Sequence, residues 1–262
     1  MTDASGRYAT AEEEVDIERV RLDMLAAVRD PSTFEVLDRV GIGPGMRVLE
    51  VGAGAGTVSA WMADRVGGPG QVLSTDIDLQ FHAEMPSNVE VRRHDIERDP
   101  LPDSTFDIVH ARAVLQHVPE REAVIPKLIA SLKPGGWLVL EDGQFTGFGA
   151  QGLAEPYRSI HQIMAAGSQQ DWRDPDFGLQ LLDRMRGHGL VDLDVTGDVW
   201  AMRAGEPSGE WWFLALERAI PRLVAAGITT EADAAAALDQ VRAPGFVMIS
   251  PVSMATVGRK PA

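Results

Sequence analysis

The stretch Arg47-Val48-Leu49-Glu50-Val51-Gly52-Ala53-Gly54-Ala55-Gly56 decides the fold of this chain. Its first half is a short apolar run, interrupted once by Glu50, which predicts a buried strand. Its second half places glycine at every second position, and glycine permits positive φ angles and a close approach of the backbone to a ligand. The pattern of residues 57–66 then predicts a helix, whose N terminus offers free N–H groups. The stretch therefore predicts a strand, a ligand-binding loop and a helix in direct succession.

The spacing of the glycines distinguishes between two kinds of ligand. A dinucleotide-binding loop requires a third glycine or alanine three residues after the second one, so that a pyrophosphate can enter. Thr57 occupies that position, and the third glycine comes one residue earlier, at Gly56. The loop therefore favours a ligand that presents a carboxylate and an amino group.

Length and composition restrict the class of protein. The 262 residues, 45% of them hydrophobic, suffice for one large α/β domain. The net charge of −15 argues against a nucleic-acid partner, and the absence of cysteine excludes disulfides and thiolate metal sites. Because no cluster of metal ligands is evident, we expect no metal. No apolar run is long enough to span a membrane and no signal peptide is recognisable, so we expect a cytoplasmic protein without membrane contact.

The rest of the chain predicts alternating helices and strands. Two helices are expected at 11–29 and 32–40, separated by Pro31, which we expect to end the first one. Further helices are expected at 120–132 and 177–186. Strands are expected at 71–75, 88–93, 106–110, 137–142, 191–203 and 246–257, the last one broken by Pro251.

Acidic residues stand where predicted strands end. Asp76 follows Gly56 by about twenty residues, the distance at which a doubly wound fold places an acid against ribose hydroxyls. Glu141 and Asp142 emerge at the carboxyl end of the strand at 137–142. Because ligands of open α/β sheets bind at this edge, we expect the three carboxylates to face one site.

Four signals together resemble the class I S-adenosylmethionine (SAM)-dependent methyltransferases. They are the run Val48–Gly56, Asp76, the turn His94-Asp95-Ile96 and the sequence Lys133-Pro134-Gly135-Gly136 between a helix and a strand. The resemblance covers residues 46–142. It implies an α/β, Rossmann-like fold: a seven-stranded, mostly parallel, doubly wound sheet with an antiparallel last strand, plus helical cap insertions.

The resemblance also implies how the chain is divided. We expect a single domain with N-terminal lid helices, a SAM-binding core and a half that determines substrate specificity. The corresponding ranges are 1–40, 41–142 and 143–262, with cap insertions at 144–174 and 205–243. The first helix can equally well fold over the cofactor as a lid or pack on the sheet.

SAM is the cofactor that the resemblance implies. In the family, the loop backbone wraps the methionine part and the ribose, Glu50 anchors the site, and Asp95 accepts a bond from the adenine amino group. An aspartate at a strand end can also serve only as a cap, so Asp95 has a purely structural alternative. The residues expected to contact the cofactor are Glu50, Gly52, Ala53, Gly54, Gly56, Asp76, Ile77, Asp95, Ile96, Arg112 and Gln116.

His117 is the candidate catalytic residue. Gln116 and His117 are expected to face the gap between cofactor and acceptor, and an unperturbed histidine titrates near neutral pH, as a general base requires. The alternative is that His117 only packs against the next helix. The residues expected to contact the substrate are Tyr8, Glu141, Asp142, His161 and Trp211. Trp211 and Trp212 can also simply pack the cap on the sheet.

The predicted function is methyl transfer from SAM to O, N or C of a small, apolar or aromatic metabolite. Two alternatives remain open, because the motifs indicate only cofactor binding. One is a rearrangement or cyclisation that uses SAM as a structural ligand, and the other is a non-catalytic regulatory binding module. The expected partner is a small molecule, and the sequence leaves a homodimer open.

Overall fold

A computed structural model describes residues 15–145, 153–161 and 174–262. Nine strands are found in these ranges: β1 Arg47–Val51, β2 Gln71–Asp76, β3 Val89–Arg93, β4 Phe106–Arg112, β5 Leu132–Gln144, β6 Val191–Asp198, β7 Ala201–Arg203, β8 Val247–Ile249 and β9 Val252–Arg259. Seven of them form one sheet in the order β3-β2-β1-β4-β5-β9-β6. β9 runs antiparallel to both β5 and β6, and the other neighbours are parallel. The predicted Rossmann-like sheet is therefore confirmed.

Helices cover both faces of the sheet. They are α1 Val15–Arg39, α2 Thr57–Val66, α3 Arg121–Ser131, α4 Leu181–Gly187, α5 Pro207–Ala225 and α6 Glu231–Arg242, and residues 157–161 are also helical. One core cluster packs the C-terminal half of α1 and α2 on the sheet, and a second packs α3 and α4 on the opposite face. A third cluster joins α5, α6 and the 157–161 helix into a cap.

The predicted break at Pro31 is wrong, because α1 continues through this residue to Arg39. A proline inside a helix removes one hydrogen bond and costs about 3 kcal/mol. The flanking residues bond to the sheet: Arg29 and Thr33 to Glu141, and Asp30 to Arg112. These tertiary contacts stabilise a helix that continues across the proline.

The predicted strand at 191–203 divides into two. β6 ends at Asp198, while β7 pairs with β8 in a separate two-stranded sheet. The chain leaves the main sheet where Trp200 and Ser250 bond to each other, through Ser250 N–H to Trp200 O at 2.9 Å and Trp200 N–H to Ser250 Oγ at 3.0 Å. The break expected at Pro251 is confirmed, since β8 and β9 lie on either side of it.

The Lys133–Gly136 sequence follows the end of α3, as predicted. It already belongs to β5, where it forms an irregularity near the start of the strand. Phe106 on β4 faces Leu132, and Ile108 faces Trp137, so the strand bulges between these pairs. A Cβ on Gly136 would stand 3.0 Å from the carbonyl oxygen of Asp107. The bulge therefore requires glycine and brings β5 back into register before it reaches the site.

Candidate active site

A cavity of about 780 Å³ opens at the carboxyl ends of β1, β2, β4 and β5. The loop after β1 forms one end, and side chains of the cap form the other. α1 and α5 pack against each other and both contribute to its lining. The cavity thus lies at the edge where open α/β sheets bind ligands.

The glycine loop is fixed by backbone bonds. The N–H groups of Gly52 and Ala53 both donate to Thr75 O, at 2.8 and 3.0 Å. Gly52, Gly54 and Gly56 all have positive φ, at 71°, 56° and 82°. A Cβ on Gly52 would lie 2.3 Å from Val114 Cγ2, whereas Gly54 faces the open cavity. Gly56 was predicted to contact the cofactor, but it caps the N terminus of α2 and is not among the residues that line the cavity.

Asp76 lies at the end of β2 and joins this strand to the loop. Its Oδ2 accepts from the Gly54 N–H at 2.8 Å, and its Oδ1 accepts from the Asp78 N–H at 3.0 Å. Burial raises the pKa of Asp76. Each carboxylate oxygen can accept more than one hydrogen bond, so Asp76 retains capacity for ribose hydroxyls.

A buried charge network lies beneath the cavity. His110 on β4 stands between two carboxylates: its Nε2 is 3.1 Å from Glu141 Oε1, and its Nδ1 is 3.7 Å from Glu50 Oε1. Burial opposes the charged imidazole, but hydrogen bonds and charges of both glutamates outweigh it and raise the pKa of His110. Glu50 also accepts a bond from Ser59 Oγ on α2.

The same network ties α1 to the sheet. Glu141 Oε2 accepts from Arg29 at 3.0 Å and from Thr33 at 3.1 Å. Burial would raise the pKa of Glu141, but the bond from His110 and the nearby cations lower it to about 2. Arg112 lines the cavity, and its guanidinium bonds to Asp30 and Thr33 at 2.8 and 2.9 Å. Glu141 and Arg112 therefore hold α1 over the cavity.

Asp95 and Ile96 line the cavity beside β2, as expected for an adenine subsite. Asp95 Oδ1 accepts from the Glu97 N–H at 3.1 Å, which closes the turn after β3. Asp95 therefore caps the turn, which is the structural alternative given for it above, and it also lines the cavity. Ile96 is buried against the main core and presents an apolar surface there.

Three polar side chains line the cavity near the ends of β4 and β5. The side-chain amide of Gln116 lies 3.1 Å from His117 Nε2, in the 3₁₀ turn Leu115–His117. Asp142, at the end of β5, points to the opposite face of the sheet from Glu141 and receives a backbone bond from Gln116. Burial raises the pKa of Asp142 to about 8, which the charge of Arg121 only partly opposes. Within the described ranges, Gln116 Oε1 and Asp142 Oδ1 have no hydrogen-bond partner.

An aromatic wall forms another part of the cavity lining. We use this name for Phe145, Trp200, Trp211 and Trp212, all of which line the cavity. Phe145 stacks on Trp212 at 5.6 Å between ring centroids, Trp212 meets Trp211 edge-on at 5.5 Å, and Trp211 lies 6.2 Å from Trp200. The four rings form a continuous apolar surface.

All three indole N–H groups of the aromatic wall are bonded within the protein. Those of Trp200 and Trp211 donate to Ser208 O at 3.0 and 3.2 Å, and that of Trp212 donates to Tyr157 Oη at 3.2 Å. His161 lies beside Trp212, and burial lowers the pKa of its imidazole. His161 Nε2 has no partner among the residues that the structure describes.

The structure thus brings nearly all predicted site residues to one cavity. Besides those discussed above, Glu50, Ala53 and Ile77 line it, whereas Tyr8 lies outside the described residues. Sequence reasoning missed Glu18, Arg29 and Trp200 as lining residues. Glu18 and Arg29 are charged residues that α1 buries, and nothing in the local sequence signals their burial.

The site fits SAM as a cofactor. Gly52 and Gly54 line the cavity, and Asp76 lies beside this loop at the end of β2, where the resemblance implies a ribose contact. Gln116 Oε1 is a buried acceptor without a protein partner in the described part of the chain, so a ligand donor can satisfy it. In the same part of the chain, no three histidine or acidic side chains are arranged to hold a metal ion.

Comparison with known proteins agrees with this assignment. Residues 49–140 match the protein family described as "Methyltransferase domain". The methyltransferase str3 of Strobilurus tenacellus is 32% identical over 146 residues, which are 54% of this chain and 52% of that protein. The chain spans about half the length, or less, of the curated relatives it matches.

Solved structures share the fold at low identity. Phosphoethanolamine N-methyltransferase 2 of Haemonchus contortus, in complex with SAM, has a TM-score of 0.54 at 19% identity, covering 88% of this chain and 53% of that one. The [4+2]-cyclase SpnF has a TM-score of 0.53 at 18% identity, covering 98% and 99%. The family match over residues 49–140, together with the shared fold, identifies this part of the chain as a class I SAM-dependent methyltransferase domain, for which SAM is the cofactor. None of the helices described here has the length and apolar character needed to cross a membrane.

Proposed function

We propose that the protein transfers the methyl group of SAM to a small, largely apolar or aromatic metabolite. The observation that supports this most is the continuity of the cavity, which joins the glycine loop and Asp76 to the aromatic wall. A cofactor and a flat acceptor can lie side by side in this space. Its volume falls within the range of roughly 300–1,000 Å³ that is common for enclosed small-molecule sites.

The residues of the chain act mainly by positioning and by excluding water. SAM, when bound, supplies an electrophilic methyl carbon. Asp76 and the loop would hold the cofactor, while the aromatic wall would orient the acceptor and keep the reaction centre dry. The cap, which lies within residues 143–262, would select the acceptor, and α1 would cover the cofactor as a lid. His117 lines the cavity and keeps its predicted role as a candidate base.

The test begins with the cofactor. Calorimetry should detect binding of SAM and of S-adenosylhomocysteine, and no comparable binding of NAD. The protein is then incubated with SAM and with extracts or panels of aromatic metabolites. Formation of S-adenosylhomocysteine, with a mass gain of one CH₂ in an acceptor, is the expected result. Tight NAD binding without SAM binding would overturn the proposal.

A cyclisation or rearrangement with intact bound SAM is the second candidate. It is favoured by the fold similarity to a cyclase over nearly the whole chain, a similarity that concerns the fold alone. The same incubation separates the two, because a rearrangement changes an acceptor without consuming SAM. A non-catalytic binding module would bind SAM and convert none of the metabolites.

A further inference from the structure

Three buried polar atoms without a partner in the described chain belong to the cavity-lining residues Gln116, Asp142 and His161, and two of them, the oxygens of Gln116 and Asp142, can accept hydrogen bonds. Gln116 Oε1, Asp142 Oδ1 and His161 Nε2 are buried and have no protein partner in the ranges that the structure describes. The indole N–H groups of the aromatic wall are already bonded to Ser208 and Tyr157. A ligand in this place therefore has to bring donors, since unsatisfied buried acceptors cost binding energy.

The aromatic wall indicates which group of the ligand carries these donors. The four rings of the aromatic wall offer π faces and edges, against which a flat ring packs well. An aromatic hydroxyl compound combines such a ring with one strong donor. A neutral amine also donates, but it attacks without first losing a proton, so a base near it contributes less to the rate.

Asp142 is better placed than His117 to receive a proton from such a hydroxyl. It lies at the end of β5, on the side of the cavity remote from the adenine subsite near β3, and its Oδ1 is unbonded within the described chain. His117 Nε2 already lies at hydrogen-bond distance from the Gln116 amide. The charged groups whose electrostatic fields act on Asp142 are Arg121 from α3, its neighbour Glu141 on β5 and Asp174 from the segment before Phe177.

We propose that the acceptor is an aromatic hydroxyl compound and that Asp142 is the catalytic base that receives its proton. The inference rests on the proposed methyl transfer. The acceptor oxygen forms a bond to the methyl carbon, the carbon–sulfur bond breaks with its electron pair remaining on sulfur, and the hydroxyl proton passes to Asp142 Oδ1. The positive charge of the sulfonium and the negative charge of the carboxylate are both removed, so the step balances.

The ionisation of Asp142 suits this role. Burial, with a smaller contribution from the charges of Glu141 and Asp174, raises the pKa of this carboxyl to about 8, while the Gln116 N–H and Arg121 oppose the rise. A base works best when its pKa lies near the operating pH. The rate of transfer should therefore increase with pH until Asp142 is ionised and then become constant.

The experiment uses 2-naphthol, a fused aromatic ring with one hydroxyl, and the full-length protein. Formation of S-adenosylhomocysteine is followed from about pH 6 to about pH 9, below the ionisation of the aromatic hydroxyl itself, for the wild type, Asp142→Asn and His117→Asn. Asp142→Asn should be slower by about 10²- to 10⁴-fold and lack the rise with pH, while its SAM affinity stays within a few-fold. His117→Asn should retain the rise. Asp183→Asn, an exposed change on α4, serves as the control.

A second measurement does not depend on turnover. The carboxyl ¹³C signal of Asp142, identified by its absence in Asp142→Asn, is titrated in the complex with S-adenosylhomocysteine, with and without 2-naphthol. Binding of 2-naphthol should shift this titration. The proposal is overturned if Asp142→Asn keeps the wild-type rate and pH profile while His117→Asn loses them. It is equally overturned if 2-naphthol is neither methylated nor able to shift the titration of Asp142.

The two measurements also separate this proposal from the proposed function. If 2-naphthol shifts the titration of Asp142 but SAM is neither bound nor consumed with any acceptor, the hydroxyl site stands and methyl transfer is refuted. If methyl transfer occurs to other acceptors and Asp142→Asn has no effect on it, the proposed function stands and the role of Asp142 is refuted.

Discussion

The two ends of the cavity are built in different ways. The cofactor end consists of backbone and strand ends, the loop of residues 52–56 and Asp76, which are close together in the sequence and bonded to each other. The acceptor end consists of side chains from distant segments, such as Phe145, Trp200 and Trp212. Backbone geometry at a strand end follows from local sequence, whereas an aromatic wall arises only when the cap folds. The cofactor end therefore suits one fixed ligand, the cofactor, whereas the acceptor end suits acceptors that can differ.

The buried network of Glu141 lies below both ends, so breaking it should damage both at once. Arg29→Met removes one partner of Glu141 and leaves a buried charge less well compensated. Loss of one partner of a buried ion pair costs about 3–5 kcal/mol. We expect that loss in the free energy of unfolding, measured by urea denaturation.

Arg39→Met on the same helix is the matched control. The pair between Arg39 and Asp194 is about half exposed on both sides, and such pairs contribute about 0–1 kcal/mol. Equal losses in the two variants would show that the network does not support α1. A normal unfolding free energy with reduced SAM binding would instead assign Arg29 to the cofactor end alone.

The second prediction concerns the pH dependence of the same network. The pKa of Glu141 is about 2 in the folded protein, below the value of roughly 4.3 in the unfolded chain, so its ionisation stabilises the fold above pH 4.3. This contribution, about 3 kcal/mol, should be lost as the pH falls from about 4 to about 2. Unfolding of the wild type and of Glu141→Gln across this range measures it. An equally steep loss in Glu141→Gln would assign the acid sensitivity to other carboxylates.

The sequence predicted the cofactor end well, because strand, loop and helix follow each other in one short stretch. The glycine spacing, Asp76 and the Asp95 turn all report local backbone geometry, and each reached the cavity. Gly56 is the exception, since its positive φ serves to start α2.

The sequence predicted the acceptor end and the network less well. Trp200 was predicted to lie within one continuous strand at 191–203. Nothing in the local sequence indicates that Trp200 bonds to Ser250 and that the residues after it pair with β8 in a second sheet. Pro31 was expected to end a helix, because the bonds that stabilise α1 on both sides of the proline come from Glu141 and Arg112, far away in the sequence. Propensity was overruled by tertiary contacts in both cases.

The third prediction addresses the cofactor end alone. Asp76→Ala removes the acceptor of the Gly54 N–H and, in the proposed complex, of two ribose hydroxyls. Unsatisfied buried polar groups cost about 1–3 kcal/mol, so SAM affinity should fall by roughly 10- to 100-fold. Calorimetry measures this loss, and Asp76→Asn, which keeps one oxygen acceptor, should lose less. An unchanged affinity in correctly folded Asp76→Ala would assign the ribose to another residue.

The smallest effect should come from the acceptor end. Trp212→Leu removes a ring that stacks on Phe145 and meets Trp211 edge-on, while an apolar side chain remains. Aromatic pairs contribute about 0.5–1.5 kcal/mol beyond their buried area, so the affinity for 2-naphthol should fall by roughly 2- to 10-fold. SAM affinity should not change, because Asp76 and the loop stay intact. Trp61→Leu on α2 is the control. It breaks a stacked pair with Phe34 of α1, whose ring centroids are 4.4 Å apart, and should change the affinity for neither ligand. If Trp212→Leu lowers both affinities equally, the two ends of the cavity are not independent, and the distinction between a fixed cofactor end and a variable acceptor end is refuted.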